Sequence, residues 1–433
     1  MFKYFTLSSQ GSLSISCTKL SSQGSLNISA TNFASGTKEK IMDKKFDFCA
    51  GIFNDSFPPV VDGVANVTLN YAKWLRRKNV RSIVVTPNFP GFQYNEDDFE
   101  IVRYFSLPQP VRGYRLGMPG LDFSLGSVLK DIPFDIIHAH CPFSAGRLGL
   151  KIAKKRHIPI IATFHTKYYD DFLTAVKFKP AAKLLLKWVV DFYHNCDFVW
   201  TPNAASAETL KSYGFKKIVE VADNGNDYEP PADPVKACEI VNEKFGLAAG
   251  DNVLLYIGQH MWTKNLKMTI ESLAQLKKQN IPFKMIFVGR GDAEPEMKKM
   301  VSDLGLDKNV IFAGLISDRD MIRRLYTRMD IFLFPSLYDT SSLVVQEAAA
   351  AGKPSIMVRG SNTAEGSKDN FNCFHTENDP VSMGEVIRKA LSDRKHLEEV
   401  GNNARQTINR PWEKAVGTVK ERYVEILKNW KRK

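Results

Sequence analysis

Residues 335–355 read PSLYDTSSLVVQEAAAAGKPS, and this stretch decides the fold. The apolar run before it, 331–334 (IFLF), has the length and β-rich character of a buried strand. A turn-rich loop follows, then a helical stretch that carries Glu347; Asp339 lies in the loop, eight positions earlier. A helix N-terminus offers unpaired amides and a partial positive charge, so a loop that opens into a helix attracts anionic or hydroxyl-rich ligands. A carboxylate one or two turns in can chelate a vicinal diol, each oxygen accepting one hydroxyl.

Working outward, short apolar runs recur at 46–53, 82–86, 134–139, 158–164 and 198–201, and again at 253–258, 283–288, 310–312, 331–334 and 355–358. Helical segments separate most of them, the pattern of a parallel sheet with helices on both faces. NGNDYEPPADP, residues 224–234, is packed with turn formers and breaks the rhythm. The expected organisation is α/β: two Rossmann-like, doubly wound halves at 44–223 and 251–410, a linker at 224–250, and an amphipathic helix at 411–433. Such halves bind ligands in the crevice at the carboxyl ends of their strands. Residues 1–43 hold the repeat SSQGSL, at 8–13 and 21–26, and too few large apolar residues to fold alone. They are expected to be a disordered Ser-rich extension.

At 433 residues, 44% hydrophobic and 24% charged, the chain is globular and long enough for two cores. The six cysteines are scattered, which argues against a zinc site or a disulfide framework and suits a reducing cytoplasm. A net charge of +12 implies anionic company, but no zinc-finger spacing, RRM-like signature or basic arm points to nucleic acid. No run of eighteen apolar residues is present.

Other candidate residues sit where strands end. In YIGQHMWTKNL (256–266), Gly258 lets the backbone turn beside a ligand, and Lys264 can neutralise a phosphate. FNDSFPPVVDG (53–63) is a Pro-Pro loop that reaches a helix at Gly63. His138 and His140 lie in DIIHAHCPF and His165 in IATFHTKYYDDF; the first two resemble a metal pair, but with no third ligand nearby they read as packing groups. Asp318 and Asp320 form a D-x-D before a helix and read as caps. No metal site is expected.

The stretch 335–355 resembles the signature of family 4 of the retaining nucleotide-sugar glycosyltransferases (glycosyltransferases group 1), in which two acidic residues are separated by seven others. The resemblance covers the chain from about residue 44 and implies the GT-B architecture, with acceptor on the first domain and donor on the second. It implies that Asp339 lies at the donor sugar, with Asp where the family usually has Glu, and that Glu347 binds the ribose hydroxyls, with Ser341 and Leu343 at the same donor site. The family's diphosphate clamp places Arg directly after Gly258 and Lys five positions later. Lys264 matches, but Gln259 stands in place of the Arg and Arg290, in VGRGD (288–292), is the candidate substitute. Gly63 is expected to bring amides toward the leaving phosphate, and His165 to lie against the transferred sugar. Glu365 and Gly366 resemble the family's donor-binding turn.

The expected function is therefore retaining, metal-independent transfer of a hexose from a UDP- or GDP-sugar to an acceptor: a lipid, a glycan precursor or a small molecule. No cofactor is implied beyond the nucleotide diphosphate sugar, a co-substrate. The alternatives are a sugar-nucleotide epimerase of similar architecture, and a weakly catalytic nucleotide-sugar-binding subunit suggested by Gln259 and Asp339. Finally, Lys179, Lys183 and Lys187 recur every four residues beside Leu184, Leu185 and Trp188. That basic stripe with apolar bulk fits peripheral contact with an anionic membrane and a lipid acceptor, on the inner membrane face.

Overall fold

The computed structural model describes residues 45–60, 62–92, 99–109, 113–339 and 342–430. The extension at 1–43 and Ser341 lie outside the described residues.

Two parallel sheets organise the chain. The first is built from β1 (Cys49–Phe53), β2 (Arg81–Pro87) and β3 (Glu100–Tyr104), and after a small antiparallel pair, β4 (Ser106–Pro108) and β5 (Arg115–Gly117), from β6 (Ile136–Ala139), β7 (Ile160–Thr163), β8 (Phe198–Thr201) and β9 (Glu220–Val221). Its spatial order is β3-β2-β1-β6-β7-β8-β9. The second contains β10 (Val253–Ile257), β11 (Lys284–Val288), β12 (Val310–Gly314), β13 (Ile331–Leu333), β14 (Ser355–Val358) and β15 (Phe374–Thr376) in the order β12-β11-β10-β13-β14-β15. In both, two strands run outward one way from the first strand and the rest run the other way, the Rossmann arrangement that the alternating sequence implies.

Burial on both faces explains the near-continuous apolar runs. In β1, Cys49 and Phe53 face one layer of core, while Ala50 and Ile52 face the other. The second domain closes around a single cluster that includes Leu254, Phe287, Phe332 and Ile356.

Within the stretch assigned to the linker, Pro234–Phe245 is a helix. Asp233 caps it, its carboxylate accepting from the Lys236 amide at 3.0 Å, and Pro234 occupies the first turn, where a missing N–H costs nothing. The helix joins the second domain through Val241, which belongs to that domain's core.

The last helix, Trp412–Asn429, returns to the first domain. Trp412, Val416, Val419 and Tyr423 are buried in the layer that also holds Tyr71 and Trp200. The chain crosses between domains twice, side by side: the Asn226 amide donates to the Arg410 carbonyl at 2.8 Å and the Trp412 amide to the Asn226 carbonyl at 3.1 Å. Gly225 permits this, because a Cβ there would lie 2.6 Å from the Trp412 Cα. With Trp412 1% exposed, Trp412→Ala should cost about 3–5 kcal/mol, as large core truncations do. Urea unfolding followed by circular dichroism checks this; an unchanged midpoint would mean that the last helix contributes little to the first domain.

Candidate active site

In an open parallel sheet a crevice forms between the two strands whose connections leave toward opposite faces. In the first sheet those strands are β1 and β6, and in the second β10 and β13. The loops that follow these four strands hold most of the residues singled out in the sequence.

After β10 the chain turns through Gly258 and Gln259 into a short 3-10 turn, Trp262–Lys264. After β13 it runs to Asp339. Because β10 and β13 are neighbours, the two loops meet, and the Lys264 Nζ lies 2.5 Å from the Asp339 Oδ1. The pair is largely shielded, with side chains 12% and 20% exposed, and the Asp339 Oδ2 is buried without a hydrogen-bond partner. The Lys264 ammonium also lies 4.9 Å from the centre of the Tyr338 ring.

Glu347 stands inside the helix Leu343–Ala350, which Ser342 caps through the Val345 amide. It is 4% exposed, and each oxygen already accepts one bond: Oε1 from Arg319 at 2.7 Å and Oε2 from the Tyr326 hydroxyl at 2.8 Å. A carboxylate oxygen has two lone pairs, so each retains one acceptor site. Arg319 also binds Asp227 at 2.6 Å, tying Glu347 to the segment between the domains. Leu343 opens the helix, and its side chain packs against the first domain's core.

Gln259 is exposed, and its carbonyl accepts from the Tyr256 hydroxyl at 3.1 Å. Arg290 is exposed in the adjoining turn, its carbonyl accepting from the His260 amide at 3.0 Å. The two turns touch so closely that a Cβ at Gly289, where φ is +135°, would lie 1.9 Å from the Gly258 carbonyl oxygen. Gly63 starts the helix Gly63–Arg77, and an added Cβ there meets nothing within 4 Å. Asp62 caps that helix, accepting from the Ala65 amide at 2.7 Å and the Tyr114 hydroxyl at 2.8 Å.

The three histidines form one buried column. His138 and His140 stack at 4.2 Å between centroids, and His140 and His165 at 5.3 Å. The His138 Nδ1 meets the Tyr423 hydroxyl at 2.5 Å and its Nε2 meets the Thr163 hydroxyl at 2.6 Å, which makes it a packing group. The His140 Nδ1 lies 3.0 Å from the His165 Nε2, while the His140 Nε2 is buried without a partner. A buried bare acceptor is better tolerated than a buried bare N–H. His140 therefore carries its proton on Nδ1 and donates to His165, whose own proton sits on Nδ1. Burial pushes His165 down to about 3 and holds His138 and His140 well below the usual imidazole value, so all three are neutral at pH 7. Among the described residues no group of three His, Cys, Asp or Glu side chains is placed to hold a metal. Asp318 and Asp320 form the cap of the helix Arg319–Arg328.

Contacts between the domains involve Lys167 and Asp171, which the sequence did not announce, and Glu365, expected at the donor-binding turn. The Lys167 Nζ, from the loop after β7, donates to the Leu337 carbonyl at 2.8 Å. The Tyr338 hydroxyl donates to the Asp171 carboxylate. Glu365 spans the cleft, its carboxylate accepting from the amides of Ala204 and Ala205 at 3.0 and 2.6 Å. Lys179, Lys183 and Lys187 belong to none of this; they lie exposed along the helix Lys179–His194.

Two family models match the chain: Glycosyltransferase Family 4 over residues 61–229 and Glycosyl transferases group 1 over residues 239–407. The chain is a group 1 glycosyltransferase of the GT-B fold. This glycosyltransferase is 27% identical over 311 residues to an alpha-monoglucosyldiacylglycerol synthase of Streptococcus pneumoniae, covering 71% of this chain and 70% of that one. It is 24% identical to a GDP-mannose-dependent alpha-mannosyltransferase of Corynebacterium glutamicum, covering 87% and 88%. Among solved structures it resembles Anabaena HepE in complex with UDP and glucose, with a TM-score of 0.68, 19% identity and coverage of 88% and 99%. The glycosyltransferase's fold is thus that of known GT-B enzymes.

Because His165 is neutral when folded but titrates near 6.5 when unfolded, the unfolded state binds the extra proton between about pH 6.5 and 3. Stability is full above that window and falls with pH inside it, by about 1.4 kcal/mol per pH unit for each such imidazole. His165→Asn should therefore flatten the decline in urea midpoint between pH 7 and 5. Parallel curves for the variant and the wild type would show that His165 is not held neutral.

Proposed function

We propose that this glycosyltransferase moves a hexose from a UDP- or GDP-linked donor to a membrane lipid or glycan-precursor acceptor, with retention at the anomeric carbon and no metal. The reading is carried by the Lys264–Asp339 pair at the switch point of the second sheet, with Glu347 behind it on the helix that opens from the same loop. Lys264 faces the donor diphosphate and the N-terminus of Leu343–Ala350 adds its partial positive charge. Glu347 uses its two remaining acceptor sites for the ribose hydroxyls. Asp339 orients the sugar and Lys264 together, and His165 donates a neutral hydrogen bond to a sugar hydroxyl. In the transfer, the bond from the anomeric carbon to the phosphate oxygen breaks and a bond to the acceptor oxygen forms on the same face. The acceptor's proton passes to the departing phosphate oxygen. Leaving-group charge is then the main barrier, and cations fixed beside it lower that barrier.

Incubating the protein in EDTA with UDP-glucose or GDP-mannose and vesicles containing diacylglycerol should yield hexosylated lipid and free nucleotide diphosphate. Glu347→Gln should weaken nucleotide diphosphate binding about ten- to a hundredfold, the range for a charge-assisted contact. A folded protein that binds neither UDP nor GDP would overturn the reading.

The lipid acceptor is supported by the helix Lys179–His194 and the turn before it. Phe178 is 60%, Leu184 70% and Trp188 43% exposed, in line with the exposed lysines, while Val189 and Phe192 face the core. The Arg147 guanidinium lies 3.6 Å from the centre of the Trp188 ring, which fixes the indole at the surface. Exposed apolar side chains beside a basic stripe form a surface for an anionic bilayer, to which each lysine adds about 1 kcal/mol. Among the described residues no helix is long and apolar enough to cross the membrane. Changing Lys179, Lys183 and Lys187 to Glu should weaken co-sedimentation with phosphatidylglycerol vesicles by about a hundredfold or more. If wild-type protein ignores such vesicles at low salt, the acceptor is a soluble molecule.

A further inference from the structure

We propose that Lys167 of the first domain completes the diphosphate clamp, supplying the positive charge that the neutral Gln259 does not, so that the clamp exists only while the domains are closed. The proposal rests on the donor-site reading above and deepens it.

Three cations stand near the loops after β10 and β13: Lys264 itself, and Arg290 and Lys167 as candidates for the second charge. Lys264 is engaged with Asp339 at 2.5 Å, and that pair is close to neutral when seen by a third charge. Arg290 is exposed beyond the end of β11, where water and salt weaken its reach. Lys167 is half-buried and already crosses the cleft, its Nζ 2.8 Å from the carbonyl of Leu337, two residues before Asp339. An ammonium has three N–H bonds, and the Leu337 carbonyl is the one acceptor it meets among the described residues. Two donors are thus left to be satisfied by water or by a ligand in the cleft.

The surroundings explain why a second cation is needed. Asp339, Asp170 and Asp171 all lie near this junction, and Asp171 is held there by the Tyr338 hydroxyl. A diphosphate that has only the Lys264–Asp339 pair to meet would be repelled by the remaining carboxylates. Lys167 changes that balance, and it comes from the opposite domain. Partial burial pulls its ammonium below the usual lysine value, with Asp170 and Asp339 opposing the shift. A poorly solvated cation of this kind gains most from an anionic ligand.

Titration calorimetry on the full chain with UDP, GDP, UMP and GMP tests the assignment. Lys167→Met should weaken binding of the preferred diphosphate about ten- to a hundredfold, the monophosphate much less, and adding Gln259→Arg should restore most of the loss. Lys167→Arg should bind nearly as wild type. Lys167→Gln serves if the Met variant fails to fold, with circular dichroism as the check. If Lys264→Met loses diphosphate binding while the neutral Lys167 variants keep it, Lys264 acts without Lys167 and the inference fails, but the donor site stands. If UMP and UDP weaken equally, Lys167 only holds the domains together, and the inference fails. If neither lysine matters, the donor-site reading falls as well.

Discussion

Neighbouring strands of a parallel sheet lie about 4.8 Å apart and deliver their following loops to the same edge, and this spacing fixes the site. Lys264 follows β10 and Asp339 follows β13; their strands are paired, so their contact needs no unusual loop. The same holds in the first domain, where His140 follows β6 and His165 follows β7. These four residues are thus placed by backbone hydrogen bonding deep in each core. The loops only have to avoid obstructing them, which Gly289 does by leaving room for the Gly258 turn.

This arrangement also decides what the sequence could reveal. Strands buried on both faces must be apolar throughout, so Ile331–Leu333 and Ser355–Val358 were legible as short runs bounded by turn formers. The edge strands Glu220–Val221 and Phe374–Thr376 carry the polar residues Glu220, His375 and Thr376, so they leave no continuous apolar run. Pro234–Phe245 was hidden by the prolines before it, although Asp233 followed by Pro234 is itself a helix-start signal. Asp339, Glu347 and Lys264 were legible because strand, loop and helix lie within a few residues of one another. Arg319 and Tyr326, which hold Glu347, were not, since their partner comes from a helix 28 and 21 positions later. Lys167 and Leu337 are 170 positions apart, and only the closed pair of domains brings them together.

The histidine column links the site to the end of the chain. Tyr423, on the returning helix, holds His138; His138 stacks on His140; and His140 donates to His165. Each contact constrains the next ring, so the orientation of His165 is set partly by a residue more than 250 positions later. Burial keeps all three rings neutral, so His165 is a fixed dipole rather than a charge.

The two sides of the domain junction are built from different interactions, and this separates what must hold from what must release. On the hinge side, Trp412 and Tyr423 are buried in the first domain's core, and the two crossing segments share backbone hydrogen bonds around Asn226. Pulling that side apart would expose large aromatic area, at about 25 cal/mol for each Å². On the cleft side the contacts are polar: Lys167 to Leu337, Tyr338 to Asp171, Glu365 to Ala204 and Ala205. Water replaces such bonds at a net cost near 1 kcal/mol apiece. The cleft side is thus held by contacts that water can replace, and the opposite side by apolar burial that it cannot.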